Sequence, residues 1–295
     1  MTLGKETKLT LTSSAAAATD GGAASDFGSG SIFCDDSMEI IVEERGDALA
    51  RVRLNRPGKR NALTCAMLER LTEIFRELNG RTDLRAVILT STGHEAFCAG
   101  TDISELDGLD EAGALAAARR GQGACEAIEL CGVPVIAAVN GAAAGGGCEL
   151  ALACHLRVAS IHASFSLPEL KLGLIPGYGG TQRLARAVGH GRALAAMLAG
   201  EKLTADEALR LGLVNRVVAP GELLPEAEKL AGTISQLAPL AIRACLAAVT
   251  HGSRLPLEEG LQLEAELFAS LFSTADVREG TRAFLEKRSP AFKGK

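Results

Sequence analysis

Residues 134–160 read PVIAAVNGAAAGGGCELALACHLRVAS, and this stretch decides the fold. Val135–Val139 is a short apolar run with the character of a strand buried on both faces. Asn140-Gly141 turns the chain. Gly145-Gly146-Gly147 then opens an apolar helical segment, CELALA (148–153), and HLRVAS (155–160) returns as another strand. Strands alternating with helices imply a mostly parallel sheet with covering helices.

The same alternation extends upstream. LRAVILTS (84–91) is a further buried strand, and Met67, Leu68, Leu71, Ile74, Phe75 and Leu78 recur at helical spacing. MEIIVEE (38–44) and ALARVRL (48–54) alternate apolar and polar residues as paired half-buried strands do, with Gly46 and Asp47 as the turn. A helical stretch is expected over Glu111–Leu130. After Gly179 the strand signal nearly stops. Leu213–Val218 (LVNRVV) alone reads as extended, and the remainder to Lys295 reads as helices. No internal repeat is visible.

Three segments are expected: a tail over 1–36, a core over 37–225 and a helical part over 226–295. The first contains SSAAAATDGGAASDFGSGS (13–31), too poor in large side chains to offset the entropy of ordering, so it is read as disordered. It has no Arg and contains Glu6, Asp20 and Asp26, which argues against a mitochondrial targeting peptide. No basic region precedes an apolar stretch as in a secretory signal, and no stretch approaches the length of a membrane span.

Hydrophobic residues make up 47% of the 295, enough for a sizeable core. The formal net charge of −5, one Tyr and no Trp argue against a nucleic-acid partner, which calls for a basic face and stacking rings. None of the eight cysteines is spaced Cys-x-x-Cys, so no metal site is expected. They lie in apolar stretches and read as buried small hydrophobes in a reducing compartment; with no targeting peptide expected, the cytoplasm is read ahead of the mitochondrial matrix.

Chemistry concentrates in three clusters. In 140–160 the glycines let the backbone approach a ligand, and a helix N-terminus offers unpaired N–H groups and partial positive charge. Together these can stabilise a developing oxyanion. Glu149 lies one turn into this apolar helix. The competing reading packs Gly145–Gly147 against a strand and leaves Glu149 on the surface. In ASFSLPELKLGLIPGYGGTQRL (163–184), Glu169 sits among Phe165, Leu167, Leu170, Leu172 and Leu174. A carboxyl so placed has a raised pKa and suits proton donation near neutrality. Its competing reading is a strand-end glutamate facing solvent. In EAFCAGTDISEL (95–106), the backbone of Ala99-Gly100-Thr101 can supply a second oxyanion donor, and Asp102 reads as a structural N-cap.

Residues from about 38 to 295 resemble the crotonase (enoyl-CoA hydratase/isomerase) superfamily. LNRPGKRNAL (54–63), AFCAGTDISEL (96–106), NGAAAGGGCELALACHLRVAS (140–160), FSLPELKLGLIPGYGGTQRL (165–184) and FLEKRSPAF (284–292) resemble its signatures in order. The resemblance implies an α/β crotonase (ClpP/crotonase-type) fold. That fold has a spiral core of repeated ββα-like units and a helical C-terminal trimerisation part.

It further implies an oxyanion hole from the N–H groups of Thr101 and Gly146, with Glu149 and Glu169 as the catalytic pair of an enoyl-CoA hydratase. The substrate/CoA pocket would involve Lys59, Arg60, Asn61, Ala62, Ala99, Gly100, Asp102, Ile103, Gly145, Pro168 and Gly177. An acyl-CoA thioester is the implied partner, with CoA carried by the substrate, no separate cofactor, and a homotrimer or hexamer (dimer of trimers) as the assembly. Rival readings are an enoyl-CoA isomerase, a hydratase of a branched acyl-CoA such as a methylglutaconyl type, and an RNA-associated relative. A Clp-type serine protease shares the fold type, but no serine lies in the glycine-rich helix turn.

Overall fold

The structure, a computed structural model, describes residues 32–33, 38–46 and 48–295. Most of the expected tail, and Cys34 and Asp47, lie outside the described residues. Ile32–Phe33 (β1) departs from the expected disorder of 1–36. Its backbone pairs antiparallel with Ile40–Arg45 (β2), Ile32 opposite Glu43 and Phe33 opposite Val42. Leu49–Leu54 (β3) forms the expected hairpin with β2, running from Ile40 opposite Leu54 to Arg45 opposite Leu49.

Cys65–Asn79 (α1) starts where the Thr64 side chain accepts the Met67 N–H, and it buries the six apolar residues whose spacing announced it. Ala86–Ser91 (β4), Ala96–Cys98 (β5), Glu111–Glu129 (α2), Val135–Val139 (β6), Ala142–Ala144 (β7), Gly146–Ala153 (α3), Leu156–Ser160 (β8) and Ser164–Ser166 (β9) follow. Next come Gly180–Val188 (α4), His190–Leu198 (α5), Leu203–Thr204 (β10), Ala205–Arg210 (α6) and Arg216–Val218 (β11). The chain ends in Leu223–Ser235 (α7), Pro239–Gly252 (α8), Leu257–Leu271 (α9) and Ala275–Leu285 (α10).

The strands form two sheets. The larger runs β1-β2-β3-β4-β6-β8-β11 and is parallel from β3 onward; the smaller runs β10-β9-β7-β5. The main core lies between these sheets and α1 to α6, while Leu223, Ala227 and Ala231 of α7 cover the other face of the larger sheet. This is an α/β architecture of two sheets with a helical C-terminal region.

The structure corrects several expectations. The smaller sheet has no counterpart in the reading above, because its strands span only two or three residues each, too few to show a period of two. The expected strand over Leu213–Val218 shrinks to Arg216–Val218, since the N–H groups of Leu213 and Val214 turn back onto the Ala208 carbonyl. The helix expected from Cys148 begins two residues earlier, at Gly146. Cys98, Cys125, Cys131, Cys148 and Cys154 are buried as expected, but Cys65 is only partly buried and Cys245 is exposed. Among the described residues no single helix is long and apolar enough to cross a membrane.

Gly147 lets α3 lie against β5. A methyl group there would lie 2.6 Å from the Cys98 Cβ and would overlap the Cys98 carbonyl, which cannot move without tearing the sheet. Gly123, inside α2, has open space around it. Gly147→Ala should therefore cost about 1–3 kcal/mol, whereas Gly123→Ala should add about 0.4–1 kcal/mol, read from urea midpoints. Equal effects of the two substitutions would refute the packing described.

Candidate active site

The site forms where two turns meet. The turn after β5 carries Ala99-Gly100-Thr101, and the turn after β7 carries Gly145-Gly146. Both glycines flanking the gap hold positive φ, +104° at Gly100 and +50° at Gly145, a region that side chains disfavour. A methyl group at Gly100 would lie 3.0 Å from the Ala144 carbonyl oxygen and 3.5 Å from the Gly146 nitrogen, so the two backbones all but touch.

Each turn aims one N–H outward. The Leu63 N–H donates to the Gly100 carbonyl and the Asp102 N–H to the Leu63 carbonyl, which pairs Thr101 with Leu63 as an isolated parallel bridge. In such a bridge the central residue's own N–H points away from its partner, so that of Thr101 points the other way. Gly146 opens α3, and its N–H is one of those a helix leaves without an internal acceptor. The C-terminal end of α3 is fixed by Arg157, whose buried guanidinium donates to the Ala151 and Cys154 carbonyls.

Glu149, in the first turn of α3, is 1% exposed, which excludes its reading as a surface residue. Its Oε1 accepts the N–H of Tyr178 at 2.8 Å and that of Gly180 at 2.6 Å. Burial pushes its pKa up to about 7, against those two hydrogen bonds and with help from the Glu169 charge. A side chain at Gly180 would come within 2.9 Å of the Glu149 carboxylate. Glycine at this position makes room for the acid.

Glu169 does not end a strand. It begins a short 3-10 turn, Glu169–Leu172, after the Pro168 cap. Its Oε1 reaches the turn after β7, 3.1 Å from where a Gly145 side chain would start. Its Oε2 is buried and accepts no hydrogen bond among the described residues, and burial raises its pKa. The two carboxyls thus lie beside two turns whose backbones all but touch, an arrangement that can hold an anion and move protons next to it.

The remaining expected residues fall into two groups. Lys59 and Arg60 are exposed, while Ala62 is half-buried. This segment is stitched to the Thr101 turn, because the Ala99 N–H donates to the Arg60 carbonyl and Arg56 pairs with Asp102 at 3.2 Å. Asp102 caps a 3-10 turn by accepting the Ser104 N–H, the structural role expected of it, and Ile103 is exposed. Asn61 is buried, and its side-chain nitrogen donates to the Thr92 and Ala96 carbonyls. That amide holds the loop and is not free for a ligand. Gly177 accepts from Gln122, next to the site.

The sequence reading passed over Tyr178 and Gly180, whose N–H groups hold Glu149. The signal was present, since PGYGG lay inside a quoted cluster, but backbone donors leave no mark on residue type.

A cavity of about 670 Å³ lies elsewhere, against α8 between Leu152, Ile234, Ala241 and Leu246. It is mostly apolar and contains neither glutamate. The clustered polar groups, rather than the volume, mark the candidate site.

Comparison with known proteins covers most of the chain. A family model described as enoyl-CoA hydratase/isomerase matches residues 44–295. The chain is 42% identical over 256 residues to crotonyl-CoA hydratase of Syntrophomonas wolfei, covering 87% of this chain and 98% of that one. It is 41% identical over 249 residues to the short-chain-enoyl-CoA hydratase of Clostridium acetobutylicum, covering 84% and 95%. The crystal structure of an enoyl-CoA hydratase from Bacillus anthracis superposes with a TM-score of 0.84 at 40% identity, covering 88% of this chain and all of that one.

The raised pKa of Glu149 has a consequence for stability. Unfolded, the carboxyl ionises near its ordinary value of 4.5; folded, near 7. Between these the native state binds more protons, so stability falls as pH rises through the window and is lowest above it. The loss is on the order of 3 kcal/mol. Glu149→Gln keeps an oxygen for the Tyr178 and Gly180 N–H groups and does not titrate. Urea melts should show the wild type losing stability relative to this variant between pH 4 and pH 8. Parallel pH profiles would show that Glu149 is not held near neutrality.

Proposed function

The chain belongs to the enoyl-CoA hydratase/isomerase family, and on that footing we propose that it adds water to a 2-trans-enoyl-CoA by syn addition, giving a 3-hydroxyacyl-CoA. One observation carries the reading: a buried carboxyl, Glu149, and a half-buried one, Glu169, both with raised pKa, lie beside the two touching turns that carry Thr101 and Gly146. An isomerase needs a single acid/base to shuttle a proton, whereas hydration needs one group for water and one for carbon.

The thioester carbonyl binds between the N–H groups of Thr101 and Gly146. Charge accumulates on that oxygen as the enolate forms, and losing one such donor costs about 3 kcal/mol of barrier. Glu149, ionised and steadied by its two backbone donors, orients a water and takes its proton as oxygen attacks the β-carbon. Glu169, protonated, donates to the α-carbon. The pair shares one proton, so its titration is coupled, and the rate should follow a bell centred near neutrality. The addition is redox-neutral and balances as written, with CoA carried in by the substrate. Lys59, Arg60, Ala62, Ala99, Gly100, Asp102, Ile103, Gly145, Pro168 and Gly177 would contact the CoA moiety or the thioester.

The reading extends to a cytoplasmic homotrimer or dimer of trimers. Support comes from the C-terminal helices, where Leu257, Leu261, Phe268, Phe272, Phe284 and Leu285 are all more than half exposed. So much uncovered apolar surface on successive helices fits a contact between subunits. Sedimentation should return a mass of three or six chains; a monomer at micromolar concentration would refute this part alone.

The activity is read from the loss of conjugated-thioester absorbance with crotonyl-CoA. The wild type should consume substrate, and Glu149→Gln and Glu169→Gln should each fall by roughly 10²–10⁴-fold. A wild type inactive on crotonyl-CoA and on longer enoyl-CoAs would refute the hydratase reading, as would a variant that keeps full activity.

A further inference from the structure

Tyr178 is the sole tyrosine of the chain and is 6% exposed. Its main-chain N–H serves Glu149, but the chemistry above makes no use of its side chain. The ring lies in a slot left by two glycines on different elements. A methyl group at Gly121, inside α2, would overlap the ring, and one at Gly146 would lie 2.9 Å from its Cε2. A glycine inside a helix costs about 0.5–1 kcal/mol relative to alanine, and the space for this ring accounts for Gly121. The phenol oxygen accepts a hydrogen bond from Thr101 Oγ1 at 2.8 Å. The ring is thus pinned at its tip and packed against the two residues assigned to the oxyanion hole.

We propose that Tyr178 is a specificity-determining residue that closes the acyl end of the site and restricts the enzyme to short, unbranched 2-enoyl thioesters. The inference rests on the hydratase reading above. In that reading the N–H groups of Thr101 and Gly146 fix the carbonyl carbon, and the two glutamates fix the α- and β-carbons. Only atoms beyond the β-carbon remain free to differ between substrates. They leave the site beside Glu149, the group that addresses the β-carbon and is itself held by Tyr178. The first such carbon packs on the ring. Further carbons meet a side chain that cannot retreat, because α2 fills the space behind it and the Thr101 hydroxyl holds its tip. Overpacking of this kind is rejected steeply, since core side chains do not yield continuously.

The test is a chain-length series of 2-trans-enoyl-CoAs with four, six, eight and ten acyl carbons. Each is assayed on the wild type, Tyr178→Phe and Tyr178→Ala, with a thermal melt of every variant. The wild type should prefer four carbons over eight by tenfold or more in kcat/KM, about what one or two methylenes are worth in an apolar pocket. Tyr178→Ala should lower that ratio at least tenfold, whatever happens to its absolute rate. Tyr178→Phe keeps the bulk and should retain most of the preference. If Tyr178→Ala does not fold, Tyr178→Leu is read the same way.

A wild type that treats four and eight carbons alike overturns the proposal and leaves the hydratase reading intact. So does a chain-length ratio unchanged in the folded smaller variants. A wild type inactive on the whole series removes the hydratase reading and this inference with it.

Discussion

A carboxylate buried with 1% exposure must be neutralised, paired or solvated by the protein itself. Glu149 is held by two backbone N–H groups, those of Tyr178 and Gly180, with no cation in hydrogen-bond contact among the described residues. Much of the surrounding structure follows from that constraint. The strand β9, the 3-10 turn bearing Glu169 and the glycine-rich turn into α4 bring 178–180 back against α3. Gly180 must lack a side chain because the carboxyl occupies the place where one would start. Two backbone donors keep an ionised form accessible while burial resists it, and the balance falls near neutrality.

The smaller sheet is the device that joins this acid to the turns carrying Thr101 and Gly146. β5, β7 and β9 lie side by side in parallel, so the turns that leave their ends emerge on one edge. Thr101, Gly146 and Glu169 each follow one of these three strands within a few residues. Parallel neighbouring strands thus align three segments far apart in sequence, much as open α/β sheets collect their sites at strand ends. The larger sheet and its helices provide the rigid base from which these short strands are hung.

The parts of this architecture differed in how legible they were. Long periodic elements announced themselves: the apolar stripe of α1, the buried run of β4 and the alternation of β2 and β3 all matched the structure. The smaller sheet did not, because Ala142–Ala144 or Ser164–Ser166 alone carries no period. Glu149 stood out as an acid in an apolar helix, and its burial followed. Glu169 stood out less, since an isolated PEL reads as readily as a solvent-facing end. Its buried setting comes from the turn that folds it back on Gly145, a contact across 24 positions of sequence. Asn61 was assigned to a ligand pocket, but its amide is spent on the loop. Such a distinction depends on which carbonyls lie opposite, which composition cannot reveal. Backbone donors were the least legible of all, because every residue but proline carries one.

If the two glutamates and the turns carrying Thr101 and Gly146 together put water across a conjugated thioester, both parts of that water must appear in the product. The most direct test incubates the protein with crotonyl-CoA in ¹⁸O-labelled D2O and reads the product by mass spectrometry and NMR. The expected product is an intact thioester that has gained one solvent oxygen on the β-carbon and one deuterium on the α-carbon. Deuterium exchange without oxygen gain, or solvent oxygen in a released carboxylate, would contradict it.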